Sequence, residues 1–438
     1  MLDLKTAILL PVETTVRELE WKLDLAVRLA NPQRQIYIGH HDIIQKMVPY
    51  LSNGIYIGKN MFGNNNDSSR LLELQKKNFT SIFLHEEGAV FKGDENVWKY
   101  RLSSQYDPKV FNENDILCTW GRMQNEYDMS RGGQTGYVTG HPKFDLYSSP
   151  QNKVFSLEAE KLSAKYGRII LINTNFGGFN NGVVSAATQE EKKNVELHAT
   201  QASNLYSMIA LVGYLSEHLA DRTIVLRPHP AERDEIYMKM LSHLPNVIIE
   251  RQGSLGAWLK AADCLIQNCC TTGIEAYFSE TPVLSYELPN LKSYVWLPNQ
   301  IGDTAIKPQE VLKWITNLSH YKPKLRNRER VEDLMENFRM QRAVDFYTLC
   351  DNAAKNKKIV QQSFVNAERS VKWHARSLQF RKTVGILLGK QSTKHSVAKF
   401  PLFSKPDIVT RVSTHSDVQG KLISTSFLSP YLFSVKIQ

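Results

Sequence analysis

The cysteines of this chain show no metal spacing. There are five in 438 residues, Cys118, Cys264, Cys269, Cys270 and Cys350, and adjacent Cys269 and Cys270 cannot easily pair with each other. An odd set without a framework excludes a disulfide scaffold and fits a reducing compartment. Long apolar runs are missing too: no stretch reaches the roughly 18 uncharged residues of a spanning helix. The apolar run inside Met1–Glu13 is too short for a secretory leader and has acidic residues beside it. The expected location is cytoplasmic. Acidic residues are scarce at the C-terminal end, where residues 352–438 hold 15 Lys+Arg against 3 Asp+Glu. Residues 1–351 hold 39 against 41, so the tail carries all of the net +10. That balance argues against a nucleic-acid enzyme with a basic cleft and for a basic appendage that meets an anionic surface.

A Gly-x-Gly-x-x-Gly dinucleotide fingerprint is also absent. The strand–helix alternation that usually surrounds it is present. Thr6–Val12 is an apolar run that predicts a buried strand. Thr15 with Glu18 predicts a capping box, and Leu19, Leu23, Ala26, Val27 and Ala30 then recur at helical spacing. Ile36–Gly39 and Ile55–Gly58 predict two more strands, so a parallel sheet is the leading architecture. Ser81–Leu84 predicts another, ending in His85-Glu86-Glu87-Gly88. Adjacent carboxylates repel and burial raises a Glu pKa, which suits one of them to general-base work near neutral pH. A solvated acidic loop with a turn glycine is the competing reading. Strands at Ile116–Thr119 and Gly136–Thr139 follow, then Gly140-His-Pro-Lys-Phe-Asp145, a ligand loop or a hinge.

After a linker-like Ser148–Asn152, the strand–helix series starts again. Arg168–Ile172 predicts a strand that runs into an Asn/Gly-rich loop, Asn173 to Gly182, with Asn173, Asn175 and Gly177 placed to offer polar groups and backbone N–H to an anion. A flexible crossover is the alternative. A helical region spans Thr188–Leu219, with Leu205, Met208, Ile209, Val212 and Leu215 on one face. The strand Thr223–Leu226 then stops at Arg227-Pro228-His229-Pro230, two side chains suited to a phosphate held at the carboxyl end of a sheet. Cys264–Gln267 predicts a strand leading through Thr271-Thr272-Gly273 into a helix that carries Glu275. Hydroxyls and free N–H groups there would meet an anion, and Glu275 a ribose; a plain Thr cap is the alternative.

Arg326–Leu349 predicts one charged helix that braces the first domain. The tail from Asn352 mixes Lys/Arg with Trp373, Leu378, Phe380 and Val384–Leu388. It reads as an interfacial helix on anionic lipid or as a solvated extension, with residues from about Gln391 poorly ordered. The expected domains are 1–150, 151–325, a brace at 326–351 and the basic tail 352–438.

Two parallel-sheet domains facing a cleft are the layout of a GT-B glycosyltransferase. Acidic-acidic-Gly, His-Pro and a Thr pair, in that order, resemble the motifs of bacterial sialyltransferases and related Kdo transferases. More closely, the chain resembles the bacterial surface carbohydrate biosynthesis protein family. The resemblance runs from about Leu4 to Phe346, on Leu10-Pro-Val-Glu13 with Arg17-Glu-Leu19, Gly54–Ile57, Glu86-Glu-Gly88, Gly140–Asp145, Asn173–Gly177, Arg227–Pro230 and Thr271–Ala276. None of the tail is covered.

The resemblance implies a cytoplasmic, GT-B glycosyltransferase that takes a CMP-activated nonulosonic acid (sialic, legionaminic, pseudaminic or Kdo-type) and no cofactor. The acceptor would be a glycan or glycolipid, and the tail would add peripheral association with the inner face of the membrane. CMP leaves with a single phosphate, so protein donors can stand in for a metal, and no Asp-x-Asp pair occurs in the candidate loops. His229 would assist the departing phosphate, Thr271, Thr272 and Gly273 would bind it with Arg227 and Pro230 beside them, and Glu275 would hold the ribose. Glu87 is the favoured base, with Glu86 second. A CDP-glycerol-type polymer phosphotransferase and a catalytically silent scaffold remain as alternatives.

Overall fold

The computed structural model describes residues 3–63, 66–88, 95–180, 191–288, 297–390, 393, 396–397 and 399–438, and the side chains of all of these except 191–198. The expected loop residues Asn181 and Gly182 and the start of the helical region at Thr188 lie outside the described residues. The chain is α/β with two large sheets, one wholly parallel and one parallel except for a C-terminal hairpin at its edge. It divides into two compact units: the described residues up to Leu146 together with Glu332–Gln438, and Tyr147–Val331.

In the first unit the parallel strands run in the spatial order Arg34–His40, Thr6–Val12, Gly54–Ile57, Phe79–Leu84, Ile116–Thr119, Tyr137–Val138. All seven residues of Thr6–Val12 are buried, as expected for a central parallel strand with both faces covered. The helix Thr15–Leu29 buries the predicted apolar stripe. Its start differs from the expected box. Thr14 is the N-cap and makes no side-chain cap bond. Glu18 instead accepts from the amides of Thr14 at 3.0 Å and Glu13 at 3.1 Å.

The tail is the largest departure from expectation. Residues 352–438 are not an appendage but part of the first unit. Ile423–Ser429 and Leu432–Ile437 form an antiparallel hairpin, and Leu432–Ile437 pairs antiparallel with the edge strand Arg34–His40. Tyr431, Leu432, Phe433 and Val435 are buried. Gly39 permits this approach: a Cβ there would lie 2.5 Å from the Tyr431 carbonyl oxygen. The helix Lys405–Gln419 packs on Thr15–Leu29. Its basic groups meet acidic ones: His415 Nε2 lies 3.0 Å from Glu20 Oε2, Arg411 also pairs with Glu20, and Gln419 donates to Asp24 at 2.8 Å. Part of the tail's positive charge is therefore neutralised within the fold.

The expected single brace is three short pieces, Arg328–Leu334, the 3-10 turn Glu336–Phe338, and Phe346–Asn356. Two side chains explain the breaks. Asn337 brackets His141, accepting from its amide at 2.7 Å and donating to its carbonyl at 3.1 Å. Asp345 caps the last piece by accepting from the Thr348 amide at 2.7 Å.

In the second unit all six strands are parallel, in the order Val247–Ile249, Thr223–Arg227, Ile169–Asn173, Ala262–Gln267, Val283–Tyr286, Asp303–Ala305. The helix Glu191–His218 covers one face through Leu205, Met208, Val212 and Leu215, packed on Ile170, Ile172, Ile224 and Leu226. Among the described residues no helix is long and apolar enough to cross a membrane.

Candidate functional site

Strand order decides where a ligand can enter an open α/β sheet. Where successive connections depart to opposite sides, the loops part and leave a crevice at the carboxyl ends. In the second unit that point lies between Ile169–Asn173 and Ala262–Gln267, paired through Asn173 and Gln267. The loops that flank it begin at Thr174 and at Asn268. Asn173, Asn175, Gly177, Thr271, Thr272, Gly273 and Glu275 are thus brought to one place.

The geometry there is specific. Asn175 Nδ2 donates to the Cys269 carbonyl at 2.7 Å, tying the two loops together. Cys269 takes φ 52°, a left-handed backbone that a non-glycine residue adopts at a cost. Asn173 Oδ1 and Thr272 Oγ1 are both buried and make no hydrogen bond. Each has room for one further hydrogen bond, and both lie beside the loops that flank the switch point. Thr271 does not cap the short helix Thr272–Phe278 through its side chain. Glu275, one turn in, is buried.

The strand Thr223–Arg227 lies next to Ile169–Asn173, and its loop reaches the same place. Pro230 occupies a tight turn closed by the Glu232 amide donating to the His229 carbonyl at 2.8 Å. Gly177 packs against Ala231 in that turn. The Ala231 amide donates to His229 Nδ1 at 3.1 Å. An amide on Nδ1 places the ring proton on Nε2 in the neutral tautomer.

Glu232, which the sequence did not single out, organises both loops. Its carboxylate accepts from Thr174 Oγ1 at 2.7 Å, the Phe176 amide at 3.0 Å and the His229 amide at 3.1 Å, and from the Tyr237 hydroxyl. Arg251 holds the turn from outside, donating to the carbonyls of His229 at 2.9 Å and Glu232 at 2.8 Å. Arg227 has another occupation than the expected phosphate. Its guanidinium donates to the carbonyls of Gln252 at 2.6 Å, Arg251 at 3.1 Å and Gly253 at 3.2 Å, over the Trp258 ring. Burial lowers its pKa to about 10. It fastens the loop after Val247–Ile249.

In the first unit the switch point falls between Thr6–Val12 and Gly54–Ile57. Glu13 and Lys59 meet there at 3.0 Å, and Lys399 reaches Glu13 from the tail at 3.1 Å. Burial raises the Glu13 pKa, but Lys59 and Lys399 outweigh it and hold the carboxyl well below the usual range. Neither basic residue was anticipated, although Glu13 lies in a segment the resemblance covers.

Glu86 and Glu87 follow the next strand. Gly88 is required behind them: a Cβ would come within 2.6 Å of both Gln124 and Trp120. The two carboxylates have different fates. Glu86 is only 4% exposed, with Lys22 Nζ at 3.5 Å and His141 Nε2 at 3.2 Å. Lys22, fully buried on the helix Thr15–Leu29, also pairs with Glu18 at 2.6 Å and donates to the Pro11 carbonyl. Glu87 keeps 40% of its side chain exposed and pairs with Arg17. The expectation that burial would lift one of these pKa values into the neutral range is overturned. Burial does push both up, but Lys22 and His141 drive Glu86 down, and Arg17 and Lys59 bring Glu87 to about 2. His141 itself is lowered to about 4, chiefly by burial against Trp21 and Trp120.

One further cluster among the described residues has metal-ligand types close together. His40, His41 and Asp42 follow the strand Arg34–His40. Arg70 takes up that position, 2.9 Å from Asp42 Oδ1 and 3.3 Å from His41 Nδ1.

No protein-family model and no curated protein matches the chain. Solved structures do. The wall teichoic acid polymerase TagF is similar at 12% identity, over 85% of this chain and 90% of that one, with a TM-score of 0.47. The UDP-GlcNAc 2-epimerase of Methanocaldococcus jannaschii is similar at 11% identity, over 73% and 93%, with a TM-score of 0.41. The S. aureus MnaA–UDP structure is similar at 11% identity, over 78% and 94%, with a TM-score of 0.42. At these scores the likeness does not reach substrate, and function rests on this chain's own residues.

Proposed function

We propose that this chain is a GT-B glycosyltransferase that moves a nonulosonic acid from its CMP-activated form to a hydroxyl of a surface glycan. The observation that carries the proposal is the switch point of the second unit. Asn173 Oδ1 and Thr272 Oγ1 stand buried and unpartnered beside the loop that carries His229, whose Nδ1 accepts from the Ala231 amide. A nucleotide monophosphate suits that set: the Thr272 hydroxyl and the His229 imidazole can donate to a single phosphate without a metal, while Asn173 Oδ1, an acceptor, can meet a hydroxyl or amino group of the nucleoside. The order of motifs along the chain supports the sugar acid as the group transferred.

In this scheme the bond from the anomeric carbon to the phosphate oxygen breaks, and CMP departs with its charge met by His229 and Thr272. The acceptor oxygen forms the new bond, and its proton passes to Glu87. Glu87 fits that part better than Glu86, because its side chain is half-exposed while Glu86 is sealed among Lys22 and His141.

A donor panel tests the proposal. The full chain is incubated with CMP-nonulosonates and with CDP-glycerol, each with glycan acceptors, and nucleotide release is followed. CMP release from a CMP-nonulosonate is expected, falling about 10²-fold or more in Glu87→Gln while CMP binding persists. His229→Ala should lose the thermal stabilisation that CMP gives the parent. Transfer of glycerol phosphate from CDP-glycerol would replace the proposal with a phosphotransferase. Turnover of neither donor would leave a silent scaffold.

A further inference from the structure

We propose that the outward face of the helix Phe364–Leu387 is a docking surface for an anionic lipid bilayer. The helix is two-sided. Phe364, Ala367, Val371, Ala375 and Gly385 are buried against the first unit. The opposite face carries three large apolar side chains spaced seven residues apart: Trp373 is 67% exposed, Phe380 70% and Leu387 80%. Seven residues are nearly two turns, so the three form one line about 21 Å long. Ile386 and Leu388 extend its end. Leu378, which the sequence grouped with them, is half-buried and lies on the side of Val371 and Ala375; Val384, also half-buried, lies at i, i+4 from Phe380 on the outward line.

Charge names the occupant. Arg369, Lys372, Arg376 and Arg381 are exposed on and beside the same line. No acidic residue occurs between Glu368 and Asp407, and Glu368 accepts from the Tyr37 hydroxyl at 2.8 Å. Apolar anchors alternating with basic residues along one exposed helix face match the boundary between acyl chains and anionic headgroups. A nucleic acid would meet the basic residues but leave Leu387 and Leu388 without a favourable contact. The helix is too polar to cross a bilayer, so it would lie in the interface. This surface stands on the helix alone and does not depend on the donor assignment.

The test is co-sedimentation of the full-length chain with vesicles of phosphatidylcholine, and with vesicles of an equimolar mixture of phosphatidylcholine and phosphatidylglycerol. Binding is expected only to the mixture, weakening as salt rises. Replacing Trp373→Ser, Phe380→Ser and Leu387→Ser together should lower partitioning at least about tenfold, and Arg369→Gln or Arg376→Gln should each lower it about fivefold. Tyr100→Ser, an equally exposed aromatic elsewhere in the same unit, should change nothing. All the substituted side chains are exposed, so an unchanged urea midpoint is expected and verifies folding. Equal binding to both vesicles, no binding to either, or a triple variant that sediments like the parent would overturn the proposal. So would retention by a polyanion such as heparin under conditions where the vesicles are not bound. Nucleotide release without vesicles is measured separately, so failure here leaves the donor assignment untouched.

Discussion

Lys22 and Glu86 form a buried ion pair at 3.5 Å, one from the middle of a helix and the other from the end of a strand. Neither is usefully exposed, and each has a second partner, Glu18 for Lys22 and His141 for Glu86. Removing one charge of a buried pair strands the other, which typically costs 3–5 kcal/mol. Glu86→Gln keeps the shape and cancels the charge. It should lose about 3 kcal/mol in urea unfolding, near the low end because Glu18 still neutralises Lys22. The pH sign follows from a lowered carboxylate pKa. The stabilisation is present above the unfolded value, about 4.3, and is lost as pH falls below it. The parent should therefore lose stability on acidification more steeply than Glu86→Gln does.

Glu87 makes a different prediction, because its partner is removable. Arg17 holds its pKa near 2 against the opposing effect of burial. A base works only while deprotonated, so the acid limb of the parent's pH–rate profile should lie near that value. Arg17→Gln should move the limb upward toward about 4, and should move it little in a Glu87→Gln background. An acid limb that stays put in Arg17→Gln would remove Glu87 as the base.

Most of the two sheets was legible because apolar runs of strand length are direct evidence of burial, and Asn/Gly/Thr clusters at their ends mark the loops that flank a switch point. Orientation was not legible. Arg227 sits where a phosphate ligand would be expected, yet its guanidinium turns to carbonyls some 24 to 26 residues on, a choice made by Trp258 and the loop from Arg251 to Gly253. Lys22 stands at ordinary i, i+4 spacing from Glu18, a spacing common to solvated pairs, and the sequence did not single it out; only the packing shows that it is buried. The tail misled for a related reason. Ile423–Ser429 is rich in Ser and Thr, which reads as disorder, but its partner strand and the edge at Arg34–His40 give it a sheet to complete. That edge is nearly the whole chain away in sequence.

His415 gives the tail a pH dependence. It is buried between Glu20 and Asp24, and although burial lowers its pKa, the two carboxylates raise it to about 9. A raised histidine contributes stability that is complete below the unfolded value, about 6.5, and is lost as pH rises through about 9. Docking of the helix Lys405–Gln419 should therefore weaken across that window, by up to about 3 kcal/mol. Hydrogen exchange of the helix amides would show it as faster opening at the alkaline end, after correction for intrinsic rate. His415→Gln should abolish most of the pH dependence and start from a less stable docked state. A parent whose protection is flat from pH about 6.5 to 9 would remove the imidazolium from the interface.

Thr272 separates binding from stability most sharply. Its hydroxyl is buried with no hydrogen bond, so the folded protein bears a desolvation penalty there of about 1–3 kcal/mol. Valine has nearly the same shape and no hydroxyl. Thr272→Val should therefore unfold at equal or slightly higher urea, by up to about 1 kcal/mol. If the hydroxyl serves the donor's phosphate, the same change should weaken CMP binding at least about tenfold, since one lost hydrogen bond to a charged group contributes roughly 1.5–3 kcal/mol. Asn173→Leu should show the same divergence through the nucleoside, because Asn173 Oδ1, on the other side of the switch point, is an acceptor that a hydroxyl or amino group can meet. Both measurements use one sample, a urea titration with and without CMP. Stability gained and affinity lost in both variants would place the phosphate at Thr272 and the nucleoside at Asn173. Stability gained with affinity unchanged would mean that water, not the donor, completes them.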